Sequence, residues 1–133
     1  MIAIDTNVFV RILVDDPEEI AQTETARKLA RAAKQVYVPQ IVQVECVWVF
    51  ETAYHIGKSD ILRILEHVGG NSAFVLQRPD CFAAAVEMFR HANADFSDCL
   101  ILAESQAQEI TLFTFDKRLS KLTGAKIAAG EIR

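Results

Sequence analysis

Along this chain, short unbroken apolar runs alternate with longer stretches in which apolar positions recur every three or four residues. The first run, Met-Ile-Ala-Ile at residues 1–4, leads directly into Asp5, Thr6 and Asn7. An apolar run this short, ending in polar residues, reads as a buried strand of a parallel sheet. Further strands are expected at Val36–Val38, Phe74–Leu76 and residues 111–114, with a last edge strand over 126–128. Between them the helical period predicts helices over 7–14, 18–34, 61–68, 81–91 and within 94–108. Asp15-Asp16-Pro17 separates the first two helices. Proline disfavours a helical residue before it and suits the first turn of a new helix. Ser59 or Asp60 is the expected cap of the helix over 61–68, and Gly69-Gly70-Asn71 its end. Residues 117–122 read as a short helix or turn broken by Gly124, and residues 130–133 as a loose tail.

Residues 41–54 pull in two directions. Their β-branched content favours strand, whereas their length and the loss of alternation past Val47 favour helix. We read a helix. It is apolar around most of its circumference, so both faces need cover, one from the sheet and the other from a second subunit. Glu45 interrupts this apolar run. A Glu on a mostly buried segment is paired or ligates a metal; the alternative is a solvated stripe shared with Gln43 or Glu51.

The alternation of strands and helices predicts an α/β fold with a mostly parallel sheet, in a single domain over residues 1–133. Composition narrows the class. The chain is 51% apolar, the upper end for a soluble domain, yet charged and amide residues break every run long enough to span a membrane. The first residues lack the basic start of a signal peptide, so the expected location is cytoplasmic. Cys46, Cys81 and Cys99 are odd in number and set among apolar neighbours, which predicts buried free thiols. His55, His67 and His91 have no ligand spacing and read as structural or surface residues. The basic residues Arg27, Lys28, Arg31 and Lys34 read as the solvated end of a helix.

The formal net charge is −4, from 18 acidic and 14 basic residues. That disfavours broad nonspecific nucleic-acid binding. It leaves room for nucleic-acid chemistry if some acids hold cations. Asp5 and Asp116 each end a strand, and Asp95, Asp98 and Glu45 follow extended segments near helix starts. In a parallel α/β fold these five acids fall on one side of the sheet, where such folds form binding crevices. Asp5 reads equally well as a helix cap, and Asp95 with Asp98 as a capping arrangement. Carboxylates held together are costly without cations, and hard ions such as Mg²⁺ bind carboxylate oxygens. No Gly-rich phosphate loop and no Ser-His or Cys-His pattern stands out. The chemistry points to a metal-dependent phosphodiesterase.

Ile-Asp-Thr-Asn at residues 4–7, the Glu45 segment, Asp-Phe-Ser-Asp at 95–98 and Thr-Phe-Asp-Lys at 114–117 occur in the order typical of PIN domains. The chain resembles that family, and more narrowly the VapC toxins of prokaryotic toxin–antitoxin pairs. The resemblance implies a three-layer α/β/α sandwich with strand order 3-2-1-4-5, and settles residues 41–54 as helix. It implies that Asp5, Glu45, Asp98 and Asp116 are the catalytic, metal-holding acids, with Asp95 close to the metal. Thr6 and Asn7 match residues that support the first Asp through hydrogen bonds, and Thr114 a hydroxyl beside the last acid. Arg11, Lys117 and Arg118 are candidate RNA-backbone contacts. The implied activity is endoribonuclease cleavage with one or two Mg²⁺ or Mn²⁺ ions, on an RNA such as tRNA or rRNA. The implied assembly is a homodimer neutralised by a cognate antitoxin. The alternatives are a PIN-like nuclease on another phosphodiester and a PIN-fold binding module without catalysis.

Overall fold

The computed structural model describes residues 1–129; the tail expected at 130–133 lies outside them. The described chain is mixed α/β and falls into two compact units, Met1–Pro79 and the residues from Asp80 onward.

In the first unit the order is β1 (Ile2–Ala3), α1 (Thr6–Leu13), α2 (Ile20–Ala33), β2 (Val36–Val38), α3 (Gln40–Thr52), α4 (Lys58–Gly70) and β3 (Phe74–Leu76). The three strands form one parallel sheet with β2 in the middle, Val36 pairing with Ile2 on one side and Phe74 on the other. β1 is shorter than the apolar run, because only Ile2 and Ala3 keep ladder geometry before the chain turns into α1. The core gathers Phe9, Val10, Val36, Val38, Val42, Phe50, Ile61 and Leu65, all buried. Phe9 meets Phe74 edge-on at 5.6 Å between ring centroids.

The ambiguous segment is helical. Its buried positions are Val42, Gln43, Cys46, Val47 and Phe50, the 3.6-residue period of a helix with one face inward. Tertiary packing has overridden the β-branched preference. Gln43 is buried, whereas Glu45 and Glu51 are both exposed, so Glu45 lies on the solvated side of the helix and is not a buried acid. Gln43 Nε2 donates to the carbonyls of Val38 at 3.2 Å and Gln77 at 2.9 Å, tying α3 to the ends of β2 and β3. The opposite face of α3 carries Ile41 at 67% and Trp48 at 65% exposure.

α1 is tied to its neighbours by polar contacts that the periodicity could not predict. Arg11 Nε donates to Gln22 Oε1 at 3.0 Å, and its Nη1 to the Tyr54 hydroxyl. That hydroxyl donates to Asp16 Oδ2 at 2.8 Å. The Tyr54 hydroxyl, then the Glu18 amide, hold the Asp16 carboxyl below its ordinary pKa. Burial, then the Asp16 acceptor, push the Tyr54 phenol up. α2 starts at Ile20, later than the sequence suggests, because residues after Pro17 form a turn in which Glu18 donates to Asp16 Oδ1. α4 has Gly57 at its N-cap and no side-chain cap, so neither Ser59 nor Asp60 plays that part.

The second unit contains α5 (Pro79–His91), α6 (Phe96–Ala107), β4 (Leu112–Thr114), a 3₁₀ turn (Leu119–Lys121) and β5 (Ala125–Ile127). β4 and β5 pair in parallel. Phe96 packs edge-on against Phe82 and Phe89 between α5 and α6. Leu102, Leu119 and Ala125 form a second cluster beneath β4 and β5. Gly124 sits at φ +93°, and a Cβ there would meet the Gln106 side chain at 3.2 Å. Both facts explain a glycine at this turn. The two ladders give the orders 3-2-1 and 4-5 separately. No described helix is long and apolar enough to cross a membrane.

Candidate active site

Asp5 sits at the hinge between β1 and α1. Its backbone is extended, and its Oδ1 accepts from the Val8 amide at 3.0 Å, so it is the N-cap of α1. The cap role and a ligand role are compatible, because one carboxylate oxygen suffices for the cap. Thr6 does not support Asp5. Its Oγ1 donates instead to Glu45 Oε1 at 2.8 Å, linking the start of α1 to the second turn of α3 across 39 residues of sequence. Asn7 is exposed and has no hydrogen-bond partner among the described residues. The expected support of Asp5 by Thr6 and Asn7 is therefore absent, since the cap bond comes from Val8 and the threonine hydroxyl reaches the other carboxylate.

Arg11 also departs from expectation. Its side chain is only 17% exposed and lies 3.6 Å from Asp16 Oδ2, with Gln22 and Tyr54 as further partners. The guanidinium is committed to protein acceptors in α2 and beyond α3.

In the second unit the acids at residues 95–98 and 116 are brought together. Asp95 is the N-cap residue of α6, yet its side chain makes no capping bond. Asp98 follows in the first turn and is partly buried. Burial raises the pKa of its carboxyl, and the neighbouring charges of Asp95 and Asp116 raise it further. Asp116 is exposed after β4. Its Oδ1 accepts from the amides of Arg118 at 2.8 Å and Leu119 at 3.0 Å, and its own amide donates to Thr114 Oγ1 at 3.0 Å. Those bonds orient Asp116 through the turn that leads into the 3₁₀ segment. Lys117 and Arg118 are exposed on the same turn.

These side chains offer oxygen donors only, which suits a hard divalent cation and not a soft one. The raised Asp98 carboxyl fits the same picture, because the charges that act on it, Asp95 and Asp116, are both negative. Among the described residues no group of three or more His, Cys, Asp or Glu is placed so that it could hold a metal ion. The structure thus joins Thr6 to Glu45, and Asp98 to Asp95 and Asp116, within their own units.

The histidines stand apart, as expected: His55, His67 and His91 are exposed, and His91 Nε2 pairs with Glu87 Oε1 at 2.8 Å. All three cysteines are free and buried. Burial pushes the Cys46 thiol up to about 12. A thiol held that far above neutral carries almost no thiolate, the reactive form. Ellman's reagent at neutral pH should label none of the three in the native chain and all three in denaturant. Rapid native labelling of Cys46 would contradict the packing of α3.

The family model described as PIN domain matches residues 2–125. A VapC ribonuclease of Aquifex aeolicus (strain VF5) is 23% identical over 121 residues, spanning 90% of each chain. Among solved structures, a toxin-antitoxin complex from Klebsiella pneumoniae aligns over 93% of both chains at 20% identity, with a TM-score of 0.35 that is too low to inform the fold. The match covers almost the whole chain, from the strand before Asp5 to the strand after Asp116, and this protein belongs to the PIN domain family.

Proposed function

We propose that this chain is a VapC-like endoribonuclease, the toxin of a toxin–antitoxin pair, with Asp5, Glu45, Asp98 and Asp116 as its catalytic, cation-holding acids. The observation that carries the reading is Asp98. Its carboxyl is partly buried and raised beside Asp95 and Asp116, while Asp95, at a capping position, caps nothing. Carboxylates arranged at that cost to the fold are expected where a cation offsets them. When bound, Mg²⁺ or Mn²⁺ supplies water activation and charge stabilisation for phosphodiester hydrolysis. The chain's own parts divide the remaining tasks. Val8 and Thr6 orient Asp5 and Glu45, and the amides of Arg118 and Leu119 orient Asp116. Lys117 and Arg118 contact backbone phosphates, which positions RNA without reading its sequence. The substrate is an exposed loop of a folded RNA such as tRNA or rRNA, recognised largely by shape. A cognate antitoxin inhibits by covering the carboxylates with a basic side chain, and two copies of the chain associate through apolar surface left open.

Two measurements test this. Incubation of purified chain with total RNA and Mg²⁺ or Mn²⁺, followed by sequencing of the new RNA ends, should give discrete cuts that EDTA abolishes. Calorimetric titration of Mn²⁺ should show binding about ten- to a hundredfold weaker in Asp98→Asn, the range expected when a group at a metal site is lost. Equal affinity in both proteins removes Asp98 from the ligand set.

A further inference from the structure

Next to Asp5, entirely within the first unit, lies a groove of about 400 Å³ between α1 and α2. Asp5, Asn7, Val8 and Arg11 line it from α1, and Gln22 and Leu29 are among the residues lining it from α2. Its volume is within the ordinary range for a small-molecule site. Three features define what it fits. Val8, Ala26 and Leu29 give it an apolar surface suited to a flat ring. Asn7 has no partner among the described residues, so both its amide donor and its carbonyl acceptor are available. Gln22 spends its Oε1 on Arg11 Nε at 3.0 Å, which fixes the amide and leaves its Nε2 donors.

Charge excludes other occupants. Arg11 is balanced by Asp16 at 3.6 Å, so the groove is electrically neutral except at its Asp5 end. A phosphate would find no free cation there, and a basic peptide would find one carboxylate and then a neutral wall. An uncharged planar ring with hydrogen-bonding edges fits the apolar wall and the two amides, away from the Asp5 end. Side-chain carboxamides are the groups that pair bidentately with adenine.

We propose that the α1–α2 groove is a nucleobase pocket, in which Asn7 and Gln22 read the edge of an unstacked adenine next to the cleaved phosphate. The inference rests on the ribonuclease reading above and adds to it a source of sequence preference. Single-stranded RNA offers such splayed bases, and recognition through their edges and faces is the usual route to specificity. Asn7 is a specificity residue here, and Arg11 is a positioning residue that acts through Gln22.

The test reads binding first and cleavage second. The full chain, ¹⁵N-labelled, is titrated with AMP, GMP, CMP and UMP in turn, and the side-chain amide resonances of Asn7 and Gln22 are followed. AMP should shift both at the lowest concentration. Asn7→Ala should weaken AMP binding about tenfold, the loss expected for one base-edge contact. Thr25→Trp, which fills the groove from α2, should remove the response while the rest of the spectrum keeps its dispersion. Equal responses to all four nucleotides, or none, overturn the proposal. So does an unchanged AMP affinity in Asn7→Ala. Amide shifts that follow protein concentration alone assign the groove to a second copy and also overturn it. In the cleavage arm, adenine preference at one position beside the cut should flatten in Asn7→Ala. If AMP binds as described and no RNA is cut, the pocket stands and the ribonuclease reading fails.

Discussion

On the proposed function, Asp98→Asn is expected to lower RNA cleavage by about a hundredfold or more, the loss commonly seen when one electrostatic group is removed from a reacting site. The same substitution stabilises the chain in the presence of EDTA. The reasoning runs through the sign of the pKa shift. Burial, then the charges of Asp95 and Asp116, raise the Asp98 carboxyl in the folded state. The folded chain therefore holds that proton more tightly than the unfolded chain does. Stability falls as pH rises through the unfolded pKa, and the penalty is complete above the folded one. At pH 7 the asparagine variant, which never ionises, should melt higher than wild type. The gap should close as pH drops through the raised pKa. Added Mn²⁺ should narrow or reverse the order, because wild type binds the cation more tightly and gains more from it. A variant that both cuts RNA like wild type and melts identically at every pH would remove Asp98 from the site. Asp95→Asn should cost less activity, since Asp95 is exposed and lies outside the family's four core acids.

Phe50→Ala unfolds the chain or brings it close to unfolding, whereas Trp48→Ala leaves the fold intact. The two aromatics are two residues apart on α3 and look equivalent in the sequence. Phe50 is fully buried, and Trp48 is 65% exposed. Removing a buried phenylalanine costs about 3–5 kcal/mol through lost transfer energy and the cavity left behind. The whole stability of a domain of this size is about 5–15 kcal/mol. Urea denaturation should show the midpoint collapse for Phe50→Ala and a change within about 0.5 kcal/mol for Trp48→Ala. Sedimentation equilibrium then separates a second role. If two copies associate through the outer face of α3, Trp48→Ala should dissociate them at concentrations where wild type remains paired. Phe50, fully buried, takes no part in such a contact. A Trp48→Ala protein that associates as tightly as wild type places the contact elsewhere.

The periodicity of the chain located nearly every element, because each short apolar strand and each helical stripe declares which residues leave water. Val36–Val38 and Phe74–Leu76 appear as strands where the apolar runs end. The order of the four acidic motifs carried the family. What local sequence could not decide was the outcome of competition between neighbours far apart in the chain. Residues 41–54 carry strand propensities, and only packing of Val42, Cys46, Val47 and Phe50 on one face makes them a helix. Thr6 finds its partner, Glu45, only once α3 has docked beside α1. Arg11 looks like a phosphate contact in a linear reading. In the folded chain Gln22, Tyr54 and Asp16 surround it, since a half-buried guanidinium must satisfy its donors. The sequence by itself determined the elements and the family, and it put forward the carboxylates proposed for the site. Tertiary structure decided which partner each polar side chain took, because hydrogen bonds form between groups that folding brings together, whatever their distance along the chain.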